Sequence, residues 1–116
     1  MLTLPSAVRI CLCTQVTDMR RSFDTLAERV RRVIGQDPAS GHLFLFRSRR
    51  GDRLKVLYWD RDGYALWYKR LERGTFCMPT PAADGRLEAR ELAMMLEGLE
   101  PAGVRRRPRF ARPERA

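Results

Sequence analysis

Hydrophobic and polar positions alternate along this chain with two different periods. Val8 to Cys13 (VRICLC) is a short apolar run of strand length. Met19, Phe23, Leu26, Ala27, Val30, Val33 and Ile34 then recur at three- and four-residue spacing, which predicts a helix with Thr17 as N-cap, Asp18 in its first turn and Gly35 as its end. The opposite stripe holds Asp24, Glu28, Arg31 and Arg32, with Glu28 and Arg32 placed as an i, i+4 ion pair. His42 to Arg47 (HLFLFR) reads as a second strand. Arg53 to Asp60 and Tyr64 to Arg70 read as two more, rich in Val, Leu, Tyr and Trp and joined by the turn Asp60-Arg61-Asp62-Gly63. A Pro/Ala/Gly loop precedes a second helix over Leu87 to Leu99, where Leu92, Met95, Leu96 and Leu99 form the apolar stripe and Gly98 stands near the end.

These elements predict an α+β fold: a small, mainly antiparallel sheet with a central β-hairpin, packed by one long helix and a shorter C-terminal helix. The hairpin register decides which side chains share a face. If Gly63 closes a three-residue loop with a bulge, Leu57 pairs with Trp67 and Lys55 with Lys69. One face then carries Lys55, Leu57, Trp59, Ala65, Trp67 and Lys69, and the other is the apolar set Leu54, Val56, Tyr58, Tyr64, Leu66 and Tyr68. A two-residue Asp62-Gly63 turn would instead put Tyr58 opposite Trp67. The bulged form is preferred because it gathers both lysines on one face. With a single apolar stripe on the first helix, one sheet face stays open unless the second helix or a partner covers it.

Charge changes the picture. The chain has 116 residues, 44% of them hydrophobic, enough for one domain with a modest core, and a formal net charge of +9. Six arginines from Arg105 to Arg115 against Glu114 place +5 of that in residues 104–116, a Pro-containing segment expected to be a disordered tail, and leave +4 for a single domain over residues 1–103. Such a tail would steepen the salt dependence of binding to phosphates without adding sequence specificity. No run is long and apolar enough to span a membrane, and the N-terminus lacks a secretory pattern, so a cytoplasmic protein is expected. Three cysteines, Cys11, Cys13 and Cys77, leave no closed disulfide set. Cys11 and Cys13 share a strand face, match no usual zinc spacing and read as buried or half-buried thiols. His42 reads as a surface or capping residue. No cofactor and no metal are expected.

The candidate chemistry is cationic. Arg20 and Arg21, in the first turns of the predicted helix, would sit where backbone N–H groups already favour an anion, unless Asp18 and Asp24 neutralise them. Arg49, Arg50, Arg53, Lys55, Lys69 and Arg70 surround the hairpin, with Trp59 and Trp67 among them. A basic, aromatic two-stranded ribbon can lie in a DNA groove, with cations on phosphates and a tryptophan stacking or wedging.

VTDMRRSFDTLAERV (16–30), SGHLFLFRSRRGDRLKVLYWDRDGYALWYKRLERGTF (40–76) and LEARELAMMLEGLE (87–100) resemble the TnpB accessory protein of the IS66 class of bacterial insertion sequences, over about residues 8 to 100. Val16 stands where that family usually has proline, and Cys77 where it often has an aromatic residue. The arginine-rich tail lies outside the resembling region. The resemblance implies an accessory to DNA transposition, encoded beside a DDE-type transposase, with an undefined biochemical step and no agreed catalytic residues. The residues themselves also argue against an enzyme, since no catalytic constellation follows from their spacing. Two functions remain: a DNA-binding accessory factor working through the basic, aromatic hairpin and the helix N-terminus, or a protein adaptor that binds the element's transposase without touching DNA.

Overall fold

The computed structural model of the protein describes residues 7–98. The expected tail over 104–116, and Leu99 of the second helix, lie outside them. Five strands form one sheet in the order β4-β3-β2-β1-β5: β1 is Ile10–Leu12, β2 Leu43–Arg47, β3 Arg53–Asp60, β4 Gly63–Arg70 and β5 Arg86–Leu87. The sheet is mixed. β1 runs parallel to β2, and every other pairing is antiparallel. A parallel neighbour needs a crossover, and the first helix supplies it. β2, not the hairpin, is the middle strand, and β4 is an edge.

The first helix begins later than its apolar spacing predicts. α1 covers Phe23–Arg29 and continues as a single π-helical stretch, Val30–Ile34, ended by Gly35 at φ 75°. The wider winding is seen where Gly35 N donates to Val30 O, five residues back, at 2.8 Å. Thr17 is not its cap. Asp18 Oδ1 accepts from Arg20 N (2.9 Å) and Asp18 O from Arg21 N (3.1 Å), so this aspartate builds a local turn that competes with helix, and the cap moves to Ser22. Ser22 N in turn donates to Thr25 Oγ1 at 3.1 Å. The predicted pair between Glu28 and Arg32 forms at 2.8 Å.

The second helix, α2, is Ala89–Glu97, with Glu88 N donating to Glu91 Oε1 at 2.9 Å and Gly98 ending it at φ 79°. Leu87 belongs to β5, not to this helix, and its side chain joins the core. A two-residue strand carries no period, which is why β5 escapes a reading by pattern.

Both faces of the sheet are covered. α1 packs on Cys11, Cys13, Phe44, Phe46 and Leu57 through Leu26, Ala27 and Val30. α2 packs on Ile10, Leu12, Leu43, Leu45, Leu54 and Val56 through Leu92 and Met95. The strict alternation along β1 and β2 divides each strand between the two cores. Cys11 and Cys13 are buried thiols, as expected, and burial pushes the Cys11 thiol pKa up. His42 Nδ1 accepts from Arg9 N at 2.9 Å, a capping contact between the starts of β1 and β2.

The hairpin register is neither of the two expected. Asp60 pairs with Gly63, Trp59 with Tyr64, Leu57 with Leu66, Lys55 with Tyr68 and Arg53 with Arg70. Asp62 N donates to Asp60 O at 2.6 Å, so the turn closes around Arg61 alone, which takes φ 56°. Gly63 is drawn into the strand. Trp59 Nε1 clamps this tight turn by donating to Arg61 O at 3.1 Å. The preference for the bulged form rests on gathering Lys55 and Lys69 on one face; the observed pairing, Lys55 with Tyr68 and Leu54 with Lys69, puts the two lysines on opposite faces.

Candidate nucleic-acid interface

The register separates the residues expected to form one basic, aromatic face. Arg53, Lys55, Leu57 and Trp59 share the α1 face with Tyr64, Leu66, Tyr68 and Arg70, whereas Trp67 and Lys69 lie on the α2 face with Leu54, Val56 and Tyr58. Trp67 packs at the margin of the α2-side core. Trp59 meets Tyr64 edge to face, with ring centroids 5.0 Å apart, at the turn end of the ribbon. It stands six positions from Arg53 along β3, roughly 20 Å at the rise of an extended chain.

Lys55 is buried, at 6% exposure, and its ammonium is fully occupied. Nζ donates to Met19 O and Arg21 O, both at 2.7 Å, and lies 4.6 Å from the centroid of the Tyr68 ring. The expected pairing of Lys55 with Lys69 is therefore absent, and Lys55 does not reach solvent to meet a phosphate. It ties the segment before α1 to β3.

That tie shapes a cleft. The segment 16–21 and the β2–β3 turn, Ser48 to Arg53, face each other across a cavity of about 630 Å³ lined by Arg21, Arg29, Arg49, Arg50 and Arg53, with Asp18 and Asp52 the only acidic residues on its walls among the described residues. The turn is built for the position. Ser48 Oγ accepts from Arg53 N (3.1 Å) and donates to Asp52 Oδ1 (3.2 Å), and Gly51 takes φ 76° with Gly51 N on Ser48 O at 3.1 Å. Arg49 and Arg50 are thereby held at an exposed tip. Gly51 O also accepts from Phe76 N at 2.8 Å, which anchors the turn to the chain after β4.

The electrostatics of the lining are unbalanced. Among the described residues, the side chains of Arg21, Arg49 and Arg50 make no ion pair. Arg20 stands at the margin, its NH2 group 2.7 Å from Asp18 Oδ2. Its guanidinium holds the Asp18 carboxyl pKa down at about 2. Asp18 is therefore mainly matched to Arg20, and it acts on the cleft arginine Arg21 only through space, as the smallest of the influences on its own pKa. Arg70, at the far side of Arg53, pairs with Glu72 at 3.0 Å.

Arg29 went unnoticed in the sequence. Its Nε donates to Thr17 Oγ1 (3.0 Å) and NH2 to Val16 O (2.9 Å), so it holds the segment 16–17 while lining the cleft. On a helix whose register is read from apolar spacing alone, it looks like any solvated arginine. Of the ten residues singled out, the structure brings Arg21, Arg49, Arg50 and Arg53 together, sets Arg20 and Arg70 beside them, buries Lys55 beneath them, and leaves Trp59, Trp67 and Lys69 elsewhere.

A family model described as IS66 Orf2 like protein, TnpB_IS66, matches residues 8–106. The match runs into the arginine-rich segment as far as Arg106, further than the sequence resemblance suggested. Two proteins of Sinorhizobium fredii (strain NBRC 101917 / NGR234) are similar over most of their length. "Uncharacterized protein y4jC" is 39% identical over 103 residues, covering 87% of each chain, and "Uncharacterized protein y4hO" is 40% identical over 100 residues, covering 84% of this chain and 87% of its own. No solved structure matches.

Proposed function

This chain belongs to the IS66 Orf2-like family of insertion-sequence proteins, and from that premise we propose that it serves transposition by binding DNA through the arginine cleft. The reading is carried by one observation. Five arginines from three separate segments line a single cavity whose walls hold two carboxylates, one of them already paired with Arg20. Like charges gathered in this way repel, and an anionic partner removes the cost. Arginine suits a phosphate in particular, because its planar fork donates two hydrogen bonds at once.

Arg21, Arg49, Arg50 and Arg53 are the phosphate contacts of this reading, with Arg20 and Arg70 at its margins and Arg29 as a positioning residue. Four contacts to duplex DNA correspond to a slope of about −3.6 in log affinity against log salt. Titrating the protein, with and without residues 104–116, against the element's terminal repeats at several salt concentrations tests it. The Arg49→Ala/Arg50→Ala variant is expected to weaken binding across sequences and to flatten the slope by about 2. Binding that disappears with the tail and ignores Arg49 and Arg50 would overturn the cleft as the DNA site. Co-purification with the transposase in the absence of any DNA binding would favour the adaptor instead.

A further inference from the structure

Three large apolar side chains are exposed among the described residues: Val16, Phe23 and, at 47%, Tyr68. Tyr68 differs from the others in being fixed. The Lys55 ammonium lies 4.6 Å from its ring centroid, and its hydroxyl accepts from Arg53 NH1 at 3.4 Å. A half-exposed tyrosine on an edge strand is ordinarily free to change rotamer; this one is held beneath its ring and at its tip. Both holding residues are parts of the cleft. Arg53 lines it, and Lys55 fastens the Met19 and Arg21 backbone that lines it. With the ammonium occupying one ring face, the exposure of Tyr68 falls on the other face and the ring edge.

A fixed aromatic surface beside a cationic cleft offers two kinds of contact at adjacent positions: arginines for a phosphate backbone and a π-face for a base. Double-stranded DNA uses only the first, because its bases are stacked on one another. An unpaired strand uses both. We infer that the cleft takes unpaired DNA, with phosphates on Arg21, Arg49, Arg50 and Arg53 and a base stacked on Tyr68. This rests on the DNA-binding reading above and names its substrate class.

The test compares the full-length protein's binding to an oligothymidylate of about ten nucleotides, an oligouridylate of the same length, a blunt duplex, and a single strand carrying 2-aminopurine. The oligothymidylate is expected to bind at least tenfold tighter than the duplex at equal salt. Tyr68→Ala should weaken single-strand binding by about ten- to hundredfold and duplex binding by far less, through the lost Arg53 contact alone, while Tyr68→Phe, which keeps the ring, retains most of the single-strand binding. Quenching of 2-aminopurine by the unmodified protein and by Tyr68→Phe, but not by Tyr68→Ala, reports the stacking directly; thermal melting confirms that Tyr68→Ala is folded. Duplex binding that is lost in Arg49→Ala/Arg50→Ala, combined with single-strand binding indifferent to Tyr68→Ala, would overturn the stacking site and leave the DNA-binding reading standing. Failure to bind either form of DNA would overturn both. Tighter binding of the oligouridylate would overturn the assignment to DNA.

Discussion

Lys55 donates to two backbone carbonyls and rests its charge against an aromatic ring, so removing it affects three segments at once. Lys55→Met keeps the length and the apolar stem but strands the carbonyls of Met19 and Arg21. Charge-assisted bonds of this kind are worth about 1.5–3 kcal/mol, and the variant is expected to lose about 2–3 kcal/mol in urea unfolding. A loss within a few tenths of a kcal/mol would mean that water replaces the ammonium. Asp18 permits a test by titration. Its folded pKa, about 2, lies below the ordinary carboxylate value, so the turn it builds with Arg20 is favoured above that ordinary value and is lost as pH falls through about 2. Carboxyl NMR should place its midpoint there, and Arg20→Ala should raise it only part of the way to the ordinary carboxylate value, since the residue 20 backbone N–H and the Arg21 charge remain. The sequence showed these residues as charges without saying where each would be spent. Lys55 and Arg20 look alike in a hairpin or helix pattern; only the approach of residues 19–21 to β3 distinguishes them.

At the scale of elements, the β3–β4 turn concentrates strain on one residue. Arg61 takes φ 56°, a region disfavoured for residues with a Cβ by about 1–2 kcal/mol. Arg61→Gly is therefore expected to be neutral or to stabilise by about 0.5 kcal/mol, since relief of strain outweighs the extra freedom of the unfolded chain. Arg61→Val should cost roughly 1–2 kcal/mol, against the few tenths typical of an ordinary exposed site. Equal melting temperatures for the two variants would contradict the strained turn. The five longer elements were legible because each carries its own period: the two strands of the hairpin, the strand HLFLFR and both helices emerge from apolar spacing. What the spacing could not convey were the ends and the register. Thr17 is a good cap by type, but its hydroxyl accepts from Arg29 and it lies buried beside the cleft. Gly63 is the usual turn residue by type, yet the positive φ fell to Arg61.

Taken whole, the molecule is a sheet between two helices, and this arrangement divides the expected basic, aromatic face of the hairpin between the two sides of the sheet. An exposed ribbon would sort its residues by polarity. A covered one distributes Tyr58 and Trp67 to one core and Leu57 and Leu66 to the other. The cationic surface accordingly lies at the end of the ribbon, where the β2–β3 turn and the segment before α1 project beyond the sheet. That site depends on residues some thirty positions apart, which no local pattern joins. The placement of β1 has a further consequence, for the order in which the chain assembles. Ile10 pairs with Leu43 on one side and with Leu87 on the other. During synthesis β2, β3 and β4 can join through short hairpins as they leave the ribosome, but one edge of β1 has no neighbour until Leu87 emerges, and the apolar strip of Ile10, Leu12 and Leu43 has no cover until α2 follows. A nascent chain halted before that point presents this strip to chaperones and to other copies of itself, although the arginine turn at the opposite end is already complete.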